Sequence, residues 1–99
     1  MIVAIFRSRI RPEALDAYNA CAKKARKLAE KQQGFISVKS FYADDGEKVS
    51  IHIWESAEHL RKWREHPEHV KIQQRGKAEF YEAYSAYVCD QPRYYQFPD

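Results

Sequence analysis

The segment "KVSIHIWE" (48–55) carries large side chains on both of its faces, which restricts the folds open to this chain. Successive side chains of a β-strand point to opposite faces of the sheet. The segment therefore divides into two sets, Val49, Ile51 and Ile53 on one face and Ser50, His52 and Trp54 on the other. A chain of 99 residues forms one domain. Its helices can cover one side of such a sheet, and we expect a second copy to cover the other.

Three further segments predict strands, and three others predict helices. β-Branched and aromatic residues favour strands, whereas apolar residues three and four positions apart favour an amphipathic helix. The predicted strands are residues 2–10, 35–43, 48–55 and 78–89, and the predicted helices are residues 12–32, 57–65 and 67–75. The "DDGE" segment (44–47) predicts a tight turn that joins the second and third strands into a hairpin.

Proline, glycine and serine mark the predicted helix ends. Pro12 and Pro67 suit the first position of a helix, where no backbone donor is needed. Ser56 is a typical N-cap residue. Gly34 and Gly76 are each predicted to end a helix, because glycine readily adopts the left-handed conformation common at that point.

The resulting order, β-α-β-β-α(α)-β, predicts an α+β fold of the ferredoxin-like type, with an antiparallel sheet in the order 4-1-3-2. We expect one domain over residues 1–99, with an extended tail at residues 90–99. The aromatic tail segment "RYYQF" (93–97) is expected to pack on the body of the domain or on a partner subunit. On the fourth strand, Tyr81 and Tyr87 are expected to face one way and Tyr84 the other.

Composition argues against several classes of function. The net charge of +3 is small, and the basic residues are dispersed without a recognition motif, so no nucleic-acid partner is expected. No segment approaches the ~20 apolar residues of a membrane span, and the N-terminus does not follow the pattern of a signal peptide. Cys21 and Cys89 lack CxxC spacing and predict two reduced, buried thiols in a cytoplasmic protein.

Several short motifs in order resemble one known family. They are "GFISVKSF", "DGE", "IWES", a tryptophan followed by "HPEH" and "QQRG", and "FYEAY". Together these segments resemble the antibiotic biosynthesis monooxygenase family of dimeric α+β barrels, over nearly the whole chain. The resemblance implies a homodimer in which two sheets form a barrel, with a pocket in each subunit between the sheet and the helices.

The family includes two chemistries, and the chain resembles each in part. Members that oxidise aromatic compounds with O2 and without a cofactor resemble it at Trp54, but their polar pocket residues correspond here to Ser50 and Phe41. Haem-degrading members resemble it at Trp63. Their first-strand asparagine and their histidine ligand correspond here to Arg7 and Gln73.

The candidate site combines these positions with neighbouring residues. Trp63 and His69 are expected to approach from the helices, and His52 and Arg7 to form the floor, with Trp54, Ser50, Phe41 and Gln73 as further lining. Indole walls suit a flat aromatic substrate. An imidazole suits removal of a phenolic proton, and Arg7 would stabilise the resulting anion. No metal or cofactor would then be needed.

Structural roles compete with each functional assignment. Trp54 and Trp63 also suit core positions, His69 a helix surface, and His52 a half-buried strand. His66 suits an N-cap, and its spacing from His69 resembles that of metal ligands, although no third ligand is evident. Three functions remain: a cofactor-independent monooxygenase acting on a small aromatic or quinol-type compound, a haem-binding or haem-degrading protein, and a non-catalytic dimeric module that binds a small molecule.

Overall fold

The computed structural model describes residues 1–98 and shows four strands and three α-helices in the predicted order. A 3₁₀ turn precedes the first helix, and a π-helical turn, Gly76–Phe80, precedes the last strand. The elements are β1 (Ile2–Ile10), α1 (Leu15–Glu30), β2 (Phe35–Tyr42), β3 (Lys48–Trp54), α2 (Ala57–Glu65), α3 (Pro67–Arg75) and β4 (Tyr81–Asp90).

Local sequence signals set most of the element ends. Gly34 and Gly46 adopt positive φ angles of 84° and 90°, which confirms the predicted stop after α1 and the turn between β2 and β3. The Ser56 side chain accepts a hydrogen bond from the backbone N–H of His59 and caps α2. The His66 ring accepts from the N–H of Glu68 and caps α3, as expected.

The sheet has the predicted antiparallel order, β2-β3-β1-β4. Residues paired across neighbouring strands share a face, so the register defines two surfaces. The helices cover the face that carries Ile2, Ala4, Phe6, Ser8, Lys48, Ser50, His52 and Trp54. The opposite face carries Val3, Ile5, Arg7, Val49, Ile51 and Ile53, and we call it the open face.

The predictions for Gly76 and for the start of β4 are wrong. Gly76 has φ −57° and ψ −49°, so the chain continues from α3 into the π-helical turn instead of stopping. Residues 78–80 belong to that turn, and β4 begins only at Tyr81. Gly76 is required for another reason. It is buried, and a Cβ atom there would lie 2.5 Å from the Tyr81 ring.

The prediction that Tyr81 shares a face with Tyr87 is also wrong, whereas Tyr84 and Tyr87 do face opposite ways; the cause is a register shift with β1 between Arg9 and Ile10. A bulge of this kind returns residues on either side of it to the same face. Tyr81 and Tyr84 therefore both pack on Phe6, with ring centroids 5.6 and 5.2 Å away. Tyr87, which pairs with Ile5, lies on the open face.

The core lies between the covered face of the sheet and the helices. Its central cluster consists of Ile2, Ala29, Trp54, Leu60 and Trp63. Trp54 and Trp63 are 1% and 5% exposed. Both tryptophans are thus first of all core residues, in agreement with the structural alternative.

The open face and the tail present apolar and aromatic groups that this single chain leaves uncovered. In the tail, Tyr95 and Phe97 are 84% and 97% exposed, so packing on the body of the same chain does not bury them. Cys89 is exposed and unpaired, which corrects the expectation of a buried thiol; Cys21 is half-buried and also unpaired. Among residues 1–98, no helix has the length and apolarity needed to cross a membrane.

Candidate functional site

The candidate site is built on the covered side of β3. Lys48, Ser50 and His52 alternate along the strand and face the helices, and Trp54 follows them into the core. Helix α1 contacts β2 and α3, and α3 brings His69 into the same region. The strand period of two therefore places a cation, a hydroxyl and an imidazole in one row.

A row of stacked aromatic rings supports the site from the side of the core. Trp54 and Trp63 lie with centroids 6.1 Å apart and planes 25° apart. The His69 ring lies on Trp63 at 4.1 Å and 14°. Because both indoles are buried, Trp63 holds the His69 ring in place, and Trp54 supports Trp63 from behind.

Hydrogen bonds at Nδ1 fix the protonation form of His69. Nδ1 lies 3.1 Å from the carbonyl oxygen of Trp63 and 3.1 Å from the side-chain amide of Gln73. A carbonyl oxygen only accepts, so Nδ1 carries the proton and donates a hydrogen bond to the Trp63 carbonyl. Because Nδ1 then has no lone pair to accept from Gln73 Nε2, the Gln73 amide is assigned the flipped orientation, with its oxygen toward the ring. This tautomer leaves the Nε2 lone pair of His69 free to accept a proton or a hydrogen bond.

Burial lowers the pKa of both histidines. Desolvation, followed by the charges of His69, Lys48 and Arg26, lowers the pKa of His52 to about 4. Desolvation also lowers the pKa of His69 to about 4, partly offset by its bond to the Trp63 carbonyl. Both rings are consequently neutral near pH 7, and protonation of one opposes protonation of the other.

The structure adds Lys48 and Tyr18, which the sequence reasoning did not select. The Lys48 ammonium donates to the Tyr18 hydroxyl at 2.7 Å and lies 4.6 Å from the centre of the Tyr18 ring. Burial lowers the pKa of Lys48 and raises that of Tyr18. Strand alternation from His52 back to Ser50 and Lys48 was the available signal for the lysine.

Two serines complete the polar surface of the floor. Ser50 is buried and exchanges a hydrogen bond of 2.7 Å with Ser40 on β2. Ser8 is 2% exposed, and its hydroxyl has no hydrogen-bond partner within residues 1–98. Ser8 lies directly opposite Lys48 in the register of β1 and β3.

Arg7 and Phe41 do not join this group, which corrects their expected placement. Each pairs with Val49 and therefore lies on the open face. Arg7 forms an ion pair with Glu47 at 2.8 Å and donates to the Tyr87 hydroxyl at 3.3 Å. His52 instead lies opposite Ala4, because the pairing register and not the separate strand patterns decides which residues share a face.

The described residues offer little to a metal or to haem. Residues 1–98 contain no cluster of three or more His, Cys, Asp or Glu side chains suited to hold a metal ion. Gln73 has an amide where the resemblance to haem-degrading proteins calls for a histidine ligand, and that amide is engaged by His69. The residues at this position therefore fit haem poorly.

An open cleft of about 490 Å³ lies along α2. Its walls come from α2, from Gln73 on α3 and from Val88 on β4. Gln73 is the link to the site, since its amide contacts His69. His69, His52 and Lys48 do not themselves line this cleft.

One family model and one curated relative match the sequence of this chain. The family model described as antibiotic biosynthesis monooxygenase matches residues 1–75. The uncharacterized protein YqjZ of Bacillus subtilis is 30% identical over 95 residues, which cover 94% of this chain and 83% of that protein.

Solved structures show the same fold at low sequence identity. Rv0793 from Mycobacterium tuberculosis has a TM-score of 0.84 at 19% identity, over 96% of this chain and 98% of that one. SnoaB, a cofactor-independent oxygenase from Streptomyces nogalater, has a TM-score of 0.82 at 13% identity, over 99% of this chain and 97% of that one. With the family model matching three quarters of its length, this chain belongs to the antibiotic biosynthesis monooxygenase family.

Proposed function

We propose that this protein is a cofactor-independent monooxygenase that oxidises a small aromatic or quinol-type compound with O2. The observation that carries the proposal is the fixed, neutral His69, held by Trp63 with Nε2 free, on the same side of the sheet as His52. The structural likeness to an oxygenase described as cofactor-independent supports the absence of a cofactor.

The proposed reaction needs a base and a place for an anion. The base removes a proton from the substrate, and the resulting anion gives one electron to O2. The two radicals combine into a peroxide, whose O–O bond then breaks. For a ring CH2 group flanked by aromatic rings, one oxygen atom becomes the new carbonyl oxygen, and the other leaves as water with the two hydrogens of the CH2 group. Substrate and O2 thus account for every atom and electron.

His69 is the proposed proton acceptor, and His52 is a neutral neighbour that can accept a hydrogen bond or relay the proton. A histidine with a pKa of about 4 is a weak base. Removing a proton from an ordinary phenol, with a pKa of about 10, would be uphill by roughly 8 kcal/mol. His69 is therefore suited to a substrate more acidic than an ordinary phenol.

Oxygen consumption tests the proposal. Wild-type protein, prepared with chelator, is given a panel of anthrones, naphthols and dihydroxynaphthalenes, and substrate-dependent O2 uptake is followed with an electrode. We expect turnover of at least one compound. His69→Gln should reduce it by ~10²–10⁴-fold, the usual contribution of a positioned base.

His59→Gln is the matched histidine control, because His59 bonds Ser56 at the start of α2 and lies outside the proposed site. It should leave turnover within about twofold. Activity that persists unchanged in His69→Gln would contradict the base assignment. No turnover of any compound by wild-type protein would favour the non-catalytic binding module, and a sharp Soret band on titration with haemin would favour the haem alternative.

We propose that the functional unit is a homodimer with the two open faces packed together. Val3, Ile5, Val49, Ile51 and Ile53 form an apolar strip that the helices of the same chain do not cover. Burial of such a strip against its copy is the usual remedy for an exposed apolar surface. Sedimentation equilibrium at low micromolar concentration should give the dimer mass, and a folded monomer there would contradict the proposal.

A further inference from the structure

We propose that Lys48 and Tyr18 bind the acid group of the substrate, so that this protein takes planar aromatic acids rather than neutral aromatics. The inference rests on the proposed function for the identity of the reacting ring. The binding preference itself can be measured without any turnover.

Lys48 is a partly buried cation that has no anionic partner among residues 1–98. No carboxylate in the described part of the chain lies within 4.0 Å of its ammonium, although seven other Lys and Arg residues form such pairs. Its contacts are the hydroxyl and the ring face of Tyr18. A desolvated cation held only by a neutral group gains strongly from an arriving anion, since charged hydrogen bonds are the stronger kind.

Further polar groups surround Lys48 on the same face. The Ser8 hydroxyl, directly across the strand pair, is buried and has no hydrogen-bond partner among residues 1–98, so its donor is uncommitted. The Tyr18 hydroxyl, which accepts from Lys48, keeps its own proton to donate. Two hydroxyl donors and one ammonium match the several lone pairs of a carboxylate.

The charge around the site is positive. Lys48 and Arg26 are the cations whose charge reaches His52. The guanidinium of Arg26 donates to the Val38 carbonyl on β2 and lies 3.7 Å from Glu30. An anion is therefore attracted to the Lys48 end of β3, and a cationic ligand is disfavoured there.

The spacing along β3 sets the length of the ligand. Lys48 and His52 are four residues apart on one face, or about 13 Å along the strand backbone at ~3.3 Å per residue. Side chains that lean toward each other shorten this span. Two or three fused rings can connect an acid group at Lys48 to a reacting carbon beside His52 and His69.

Calorimetric binding of a matched pair of probes tests the preference. The pair is 2-naphthoate and 2-naphthamide, which have the same shape and differ in charge. With wild-type protein at pH 7.5 we expect naphthoate to bind tenfold to a hundredfold more tightly. Lys48→Met should abolish this preference and Lys48→Arg should largely keep it.

Lys39→Met is the control for loss of one positive charge. Lys39 lies on β2 opposite Ile51, on the open face, and should not affect the preference. Equal binding of the two probes by wild-type protein, no binding of either, or equal loss in Lys39→Met would overturn the inference. Tighter binding of 2-naphthol than of naphthoate would show that Lys48 prefers a phenolic group, and it would contradict the proposed preference for a carboxylate.

The two proposals fail separately. If naphthoate binds through Lys48 but no compound consumes O2, the acid-binding site stands and the oxygenase proposal fails. If O2 uptake occurs equally with neutral and acidic compounds and is insensitive to Lys48→Met, the oxygenase proposal stands and the acid-binding site fails.

Discussion

Acidification to pH 5.0 should destabilise this protein through His52 and His69. A histidine has a pKa near 6.5 in the unfolded chain, whereas burial lowers that of each of these two to about 4 in the fold. The unfolded state therefore binds protons first as the pH falls. Stability from these groups is complete above pH 6.5 and is lost progressively between pH 6.5 and 4.

The size of the effect follows from the two pKa values. At pH 5.0 the linkage relation gives a loss of about 2 kcal/mol for each histidine relative to pH 7.5, or roughly 3–4 kcal/mol for both. For a domain of this length, each kcal/mol corresponds to about 5 °C in melting temperature. Hydrogen bonds to the Glu47 backbone and to Arg9 lower the pKa of Asp45, and a hydrogen bond to Arg61 lowers that of Glu58. Their contributions to the stability of the fold are lost only below about pH 4.5.

Urea unfolding at pH 7.5 and at pH 5.0, followed by circular dichroism at one fixed protein concentration, measures this loss. The fixed concentration is needed because the stability of the proposed homodimer would depend on it. His52→Gln and His69→Gln should each remove about half of the difference between the two pH values, and the double variant should remove nearly all of it. A wild-type loss below about 1 kcal/mol, or an undiminished loss in the double variant, would refute the reasoning.

Three further predictions concern packing. Trp63→Ala should cost ~3–5 kcal/mol in the free energy of unfolding, because the indole is buried in the core. A loss of less than about 1 kcal/mol, measured by urea titration, would mean that Trp63 mainly lines the pocket. Gly76→Ala should lower the melting temperature by several degrees, because its Cβ would meet the Tyr81 ring. Gly46→Ala is the control, since it is strained by its positive φ but meets no neighbour, so a change in the near-ultraviolet signal of tyrosine should appear only in Gly76→Ala. Deletion of residues 92–99 should weaken dimerisation measured by sedimentation, because Tyr95 and Phe97 find no cover on their own chain; an unchanged dissociation constant and melting curve would show that the tail is loose.

The sequence by itself determined the order of elements and the topology of the sheet. Local chemistry was sufficient for this, because Ser56, Gly34 and Gly46 act on their own backbone or on residues within a few positions. The element order then leaves few arrangements open, and the 4-1-3-2 sheet is the one observed. The prediction from sequence was wrong at Gly76. This glycine is needed because it lies against the Tyr81 side chain, a contact that the local sequence does not reveal.

Only the tertiary structure decided which residues share the site. The alternation within β1 and within β3 is readable from each strand, but the relative parity of the two strands depends on their pairing register. One residue of register separates a site with Arg7 on its floor from the observed site, where β1 contributes Ser8 instead. In the same way, Trp54 and Trp63 look like pocket walls or core anchors equally well in sequence. Their burial is decided by the helices that pack over them, because burial is a property of long-range contacts and not of the local pattern.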